Sequence, residues 1–197
     1  MKKKGISIIA GTLLGLSSSI ANALLIDPSD DGSIYSNGNV SDSAYLMASG
    51  SIQAVVEFSL SGVGSSVSSA QLSLNPYGLP LWDKTVDIFG FSSNDGILTS
   101  SDYNAGTLLG TLTLRDDLTY GEDSFFDVTG FINSVSSSYV GFNLRTTGTD
   151  VFSSLEYNYG HSAQLNVENV DVPEPSTLAI MLLGLGGIFT TRFKKAR

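Results

Sequence analysis

A two-residue rhythm, repeated along most of the chain, limits what this sequence can fold into more than any other feature. Across residues 53–60, Ala54, Val56, Phe58 and Leu60 fall at alternate positions, with Val55, Glu57 and Ser59 between them. Successive side chains of an extended backbone point to opposite faces, so this spacing predicts one face on a core and the other in water. The pattern returns at residues 70–74, 85–91, 108–114, 140–144, 152–157 and 163–167, and residues 44–47 add a short earlier candidate. Clusters of Gly, Ser, Asn and Asp separate these runs and supply turn chemistry. Short strands with turn-rich joints predict an all-β sandwich of roughly 8–10 antiparallel strands. Inward positions are assigned to Phe58, Phe89 and Phe142. Two short helical turns interrupt the strands. One is at residues 99–102, with a hydroxyl at Thr99 and a carboxylate at Asp102. The other is at residues 128–135, with Thr129 as N-cap and Phe131, Ile132 and Val135 turned inward.

Both ends of the chain break this rhythm. Lys2, Lys3 and Lys4 precede an apolar run over residues 6–16, and Ala21-Asn22-Ala23 is a small-x-small cleavage site at Ala21 and Ala23. These are the parts of a secretory signal peptide. The run is too short for a spanning helix, which needs about 20 apolar residues. The mature chain is predicted to begin near Leu24. At the other end, Pro173-Glu174-Pro175 precedes Leu178-Ala179-Ile180-Met181-Leu182-Leu183-Gly184-Leu185-Gly186-Gly187-Ile188-Phe189, and then the cations Arg192, Lys194, Lys195 and Arg197. A glycine-thinned apolar segment of this length is short for a lasting anchor. Its basic tail is predicted to stay cytoplasmic. The expected organisation is a signal peptide at residues 1–23, one domain at 24–171 and a sorting segment at 172–197, with a helix in each terminal segment.

The C-terminal order of Pro173-Glu174-Pro175, apolar stretch and basic cluster resembles the PEP-CTERM sorting signal of Gram-negative bacteria. The resemblance implies recognition by exosortase, a membrane-embedded cysteine transpeptidase, after passage through the secretion machinery and a transient stay in the inner membrane. It also implies a destination at the cell surface, outer membrane or extracellular matrix, with links to exopolysaccharide and biofilm. The proline motif would then be a recognition element and not a catalytic one.

Composition fits export. The chain has no cysteine, which removes disulfides, thiol catalysis and cysteine metal sites. The expected domain holds three basic residues (Lys84, Arg115 and Arg145) against eighteen acidic ones, a balance of −15. Such a surface repels nucleic acid and anionic lipid and favours solubility.

A second resemblance covers roughly residues 26–169. Residues 54–60, 70–74, 126–129, 140–145, 152–154 and 163–167 follow the order of the DNRLRE-type domain. That domain is a jelly-roll sandwich similar to the carbohydrate-binding modules of secreted bacterial proteins. Where the family often carries Arg-x-x-Leu-Arg-Phe, this chain has Gln53-Ala54-Val55-Val56-Glu57-Phe58, so no arginine role carries over.

The chemistry-bearing residues are sparse. His161 is the single histidine. It reads as a solvated loop residue or, alternatively, a ligand contact, and alone it cannot build a multi-histidine metal site. No carboxylate pair stands out for glycoside hydrolysis. No cofactor is expected, apart from a structural calcium for which Asp27, Asp30 and Asp31 are the candidates. Residues 93–98 with Asp102 imitate part of an EF-hand loop, but Phe91 occupies the position of its first carboxylate. Sugar faces stack on exposed rings, which makes Trp82, Tyr157 and Tyr159, with His161, candidate glycan contacts; Tyr77 and Tyr103 also fall in loop-like stretches. The expectation is a non-catalytic, glycan-binding or scaffolding protein. The alternatives are a purely structural or adhesive protein and a polysaccharide-active enzyme.

Overall fold

Val56, Phe58, Ile88, Phe142 and Leu144 are fully buried, and so are Leu72, Leu74 and Leu165 from a second layer; all belong to one apolar cluster. The computed structural model describes residues 23–77, 85–114, 122–155 and 162–169. Their strands are β1 (Ala23–Ile26), β2 (Asp30–Tyr35), β3 (Val40–Ser41), β4 (Tyr45–Ser49), β5 (Ile52–Ser59), β6 (Val67–Leu74), β7 (Thr85–Ser93), β8 (Thr107–Thr113), β9 (Ser124–Asp127), β10 (Tyr139–Arg145), β11 (Thr149–Ser153) and β12 (Gln164–Asn169). The smaller sheet runs β1-β12-β6-β9. The larger runs β11-β4-β5-β10-β7-β8, with β2 pairing both β3 and β5. Every strand pairing is antiparallel. The two sheets meet across the apolar cluster, and the molecule is the expected all-β sandwich.

The described residues hold twelve strands, more than the expected 8–10. The additional ones are β1, β2 and β3, whose sequences do not alternate; β9 overlaps residues 126–129, which the second resemblance already included. In β2, Asp31, Gly32, Ser33 and Ile34 are all buried, so neither face is polar enough to mark it. The expected strand at residues 152–157 is displaced toward the N-terminus as β11, with Leu155 in a turn. The helical turn at residues 128–135 shortens to α1 (Thr129–Ile132), and Val128, not Thr129, is the N-cap. Thr129 serves elsewhere: its Oγ1 donates to Asp127 Oδ1 at 2.6 Å and accepts the Ala70 N–H at 2.9 Å. The Asp127 carboxylate accepts the Thr129 N–H at 2.9 Å and supplies the cap. Ile132 is buried, with Phe131 and Val135 packed half-buried on the same cluster, as expected.

Two expectations about facing are overturned. Phe89 does not enter the core. Val86, Ile88 and Gly90 fix the inward parity of β7, which turns Phe89 and Phe91 outward. Val55 and Glu57, expected in water, are fully buried. The reason is the connection between β7 and β8, residues 94–106, which lies over that face of β5. Leu98 of this strap packs with Ile34 and Val55, and Phe91 and Tyr103 flank them as a second, smaller core.

Candidate functional site

Strap and groove are the two features that give this sandwich distinctive surfaces. The strap begins where Gly96 turns at φ +69 and ends where Gly106 turns at φ +96. At Gly106 a side chain would strike the Gly90 backbone. Around the first of these turns, Asp95 Oδ1 accepts the Ile97 N–H at 3.2 Å. Asp102 Oδ2 accepts the Thr99 N–H at 2.7 Å and caps a 3-10 turn, Ser100–Asp102, as expected. Amides fasten the strap to the sheet. Asn143 Nδ2 donates to Gln53 Oε1 at 2.7 Å and to the Asp102 carbonyl at 2.9 Å. Gln53 in turn donates to Asn104 Oδ1 at 2.7 Å and accepts the Asn104 N–H at 2.8 Å. Asp30 Oδ2 accepts the Leu98 N–H at 2.7 Å. The far end is closed by Arg145, whose Nη2 donates to the Ala105 carbonyl at 2.7 Å while its guanidinium covers the Phe89 ring.

Beneath the strap lies Glu57, with no exposed surface. Its Oε2 accepts from Ser93 Oγ at 2.5 Å, and Ser93 Oγ itself accepts the Gly96 N–H at 3.2 Å. Oε1 has no hydrogen-bond partner among the described residues. Burial pushes the carboxyl up to about 7, and Asp102, Asp95 and Asp30 add to the rise; the Ser93 hydrogen bond opposes it.

A groove of about 670 Å³ opens between the β5–β6 link and the α1–β10 link. The Leu60 N–H donates to the Ser138 carbonyl at 2.8 Å and ties the two links together. Asn133 brackets Val67 like a strand neighbour, accepting its N–H at 2.9 Å and donating to its carbonyl at 3.0 Å. Six serines line the groove: Ser59, Ser61, Ser65, Ser136, Ser137 and Ser138. Leu60, Val63, Ile132 and Val135 form its apolar part, and Tyr139 stands at one edge. Ser59 and Ser137 bond the backbone nearby. The Ser61, Ser65, Ser136 and Ser138 side chains are exposed and make no hydrogen bond among the described residues. No carboxylate or cation lines the groove. Sequence reasoning passed over these serines because it read Ser/Gly clusters only as turns. The signal was there in the run Ser134-Val135-Ser136-Ser137-Ser138.

Asp27, Asp30 and Asp31 are not brought together. Asp27 Oδ1 accepts from Gln164 Nε2 at 3.1 Å, Asp30 holds the strap, and Asp31 Oδ2 accepts the Leu155 N–H at 3.0 Å. Asp30 and Asp31 are consecutive in β2 and therefore face opposite sides of the sheet. Among the described residues no three His, Cys, Asp or Glu side chains are grouped to hold a metal ion. Tyr77 is half-buried, its ring 4.4 Å from that of Tyr45, and Tyr103 is taken up by the strap's small core. Trp82, Tyr157, Tyr159 and His161 lie outside the described residues. So do the cleavage residue Ala21, Pro173-Glu174-Pro175, residues 178–189 and the basic cluster Arg192, Lys194, Lys195 and Arg197. Ala23 is the first residue of β1, so the expected mature chain begins inside the smaller sheet.

Residues 171–195 match the PEP-CTERM protein-sorting motif. The match takes in Pro173-Glu174-Pro175, the apolar stretch and the basic cluster up to Lys195, and marks an exported protein processed by exosortase and sorted to the cell envelope or surface. No curated protein matches the chain.

Proposed function

We propose that this protein is a non-catalytic β-sandwich delivered to the cell surface or the exopolysaccharide matrix, where it holds a neutral glycan in the serine-lined groove. The supporting observation is the groove itself: free hydroxyls beside a shallow apolar floor, with no charged side chain. Sugars present the same mixture of hydroxyls and C–H faces, and a few placed polar groups set orientation in such sites. A neutral lining also suits a domain of high negative charge, because binding then needs no anion to approach it. No pair of carboxylates lines the groove, which supports binding over glycoside hydrolysis.

The test is titration of the mature protein with neutral oligosaccharides released from the producing organism's own polymer. Binding is expected and is lost in Ser138→Trp, which fills the groove from its rim. Absence of binding to any such fragment at millimolar concentration overturns the groove assignment and leaves a scaffold. Release of reducing ends from the polymer overturns the non-catalytic reading.

A further inference from the structure

Glu57 is a buried carboxyl that no binding role requires. The charged groups acting on it are all acidic. The strap contributes Asp95 and Asp102, and β2 contributes Asp30. From β7 comes the neutral Ser93, at 2.5 Å. From β10 the register neighbour is Gly141, and the nearby Tyr139 ring packs on Gly96. Among the described residues no cation acts on the carboxyl, and Arg145 is committed to Ala105, Asn143 and Phe89 at the strap's other end. Each of the three aspartates also accepts a strap backbone N–H: Asp30 from Leu98, Asp95 from Ile97 and Asp102 from Thr99. The same carboxylates that shape the strap therefore surround the one carboxyl it covers.

We propose that residues 94–106 are a proton-controlled latch, shut while Glu57 is neutral and lifted from the sheet when Glu57 ionises. A charged Glu57 would leave Oε1 buried without a donor and add a fourth negative group to Asp30, Asp95 and Asp102 at one end of the strap. Burial of such a charge without a partner is too costly to persist. Lifting the strap brings water to the carboxylate while both sheets stay paired. Its two ends are already the glycine turns at Gly96 and Gly106, which are able to pivot. The first bond to part is the Ser93 Oγ to Gly96 N–H link, which connects the acid directly to the strap. Opening uncovers a strip of Ile34, Val55 and Phe91 edged by the Gln53 and Asn143 amides. The carboxyl titrates near 7, so the latch is closed in mildly acidic surroundings and open in mildly alkaline ones.

Hydrogen exchange on the mature protein tests this. After correction for intrinsic rates, amides of residues 97–105 should lose at least tenfold protection between pH 5.5 and pH 8.5. Those of β5, β7 and β10 should keep theirs. Glu57→Gln, neutral at every pH, should keep the strap protected at both. Equal protection in the wild type at the two pH values, or identical opening in Glu57→Gln, overturns the proposal. A second reading needs no variant: the Glu57 side-chain carbon, followed by NMR, should titrate with the midpoint of strap opening. Titration near 4.5 with the strap unmoved overturns it equally.

Discussion

The Arg145 guanidinium lies 3.7 Å from the centroid of the Phe89 ring, and it is the one Lys or Arg among the described residues. Asp87 is opposite it in the strand register, but its Oδ1 accepts from Thr111 instead. The guanidinium is thus held by a ring face, a carbonyl and the Asn143 amide oxygen. Desolvation pulls its pKa below the usual arginine value. Lysine can reproduce neither the planar stacking nor the fork of donors. Arg145→Lys is expected to cost about 1–2 kcal/mol of stability in urea unfolding, from the stacking and the charged hydrogen bond to Ala105. An unchanged midpoint would show that the ring contact adds nothing.

Gly96→Ala should be far more damaging than its size suggests. The backbone is at φ +69, and a Cβ there would collide with the Tyr139 ring. A loss of about 2 kcal/mol or more is expected from backbone strain plus the clash. Gly50→Ala, with open space around its position, should be near neutral and serves as the control.

Asn143→Ala removes both donors that fasten Gln53 and the Asp102 carbonyl. Leaving buried acceptors unmatched costs about 1–3 kcal/mol. The loss should appear with faster proteolysis within the strap, while the β6–β12 half of the sandwich remains resistant.

Stability should depend on pH with opposite signs at two carboxylates. Asp127 is held below the usual carboxylate range by the Thr129 hydroxyl and then the Thr129 N–H. Its contribution is present above about 3.8 and is lost as pH falls through the lowered value. Glu57 is raised from 4.5 to about 7. The native state therefore binds the extra proton between those values, and stability falls as pH rises through that window. The fall is bounded by linkage at about 3 kcal/mol and becomes smaller if the strap lifts. Thermal midpoints measured from pH 3 to pH 8 should show both limbs. Glu57→Gln should flatten only the upper one, and Asp127→Asn only the lower.

Alternation located β5, β7 and β10 and, in β7, the face that meets the core. It failed to show where the second face is covered too, as in β5. Val55 and Glu57 look like solvent positions because the residues that cover them, Leu98 of the strap and Ser93 at the end of β7, come about forty residues later. Phe89 misled for a related reason. An aromatic ring is a strong core signal on its own, but the parity of Val86 and Ile88 outranks it. The groove was invisible as a site because its serines belong to two links far apart in sequence, joined through Leu60 and Ser138. The sorting signal was legible in full, since its meaning lies in linear order and not in packing.

Strand β12 ends at Asn169, four residues before Pro173. It runs inside its sheet, laced to β1 on one flank and to β6 on the other. Protein left fixed by its C-terminal end would take tension through this strand. Both ladders would carry the load together, along their length, instead of parting one rung at a time as at a free edge. A tether at that end would therefore pull on an interior strand and not on a free edge.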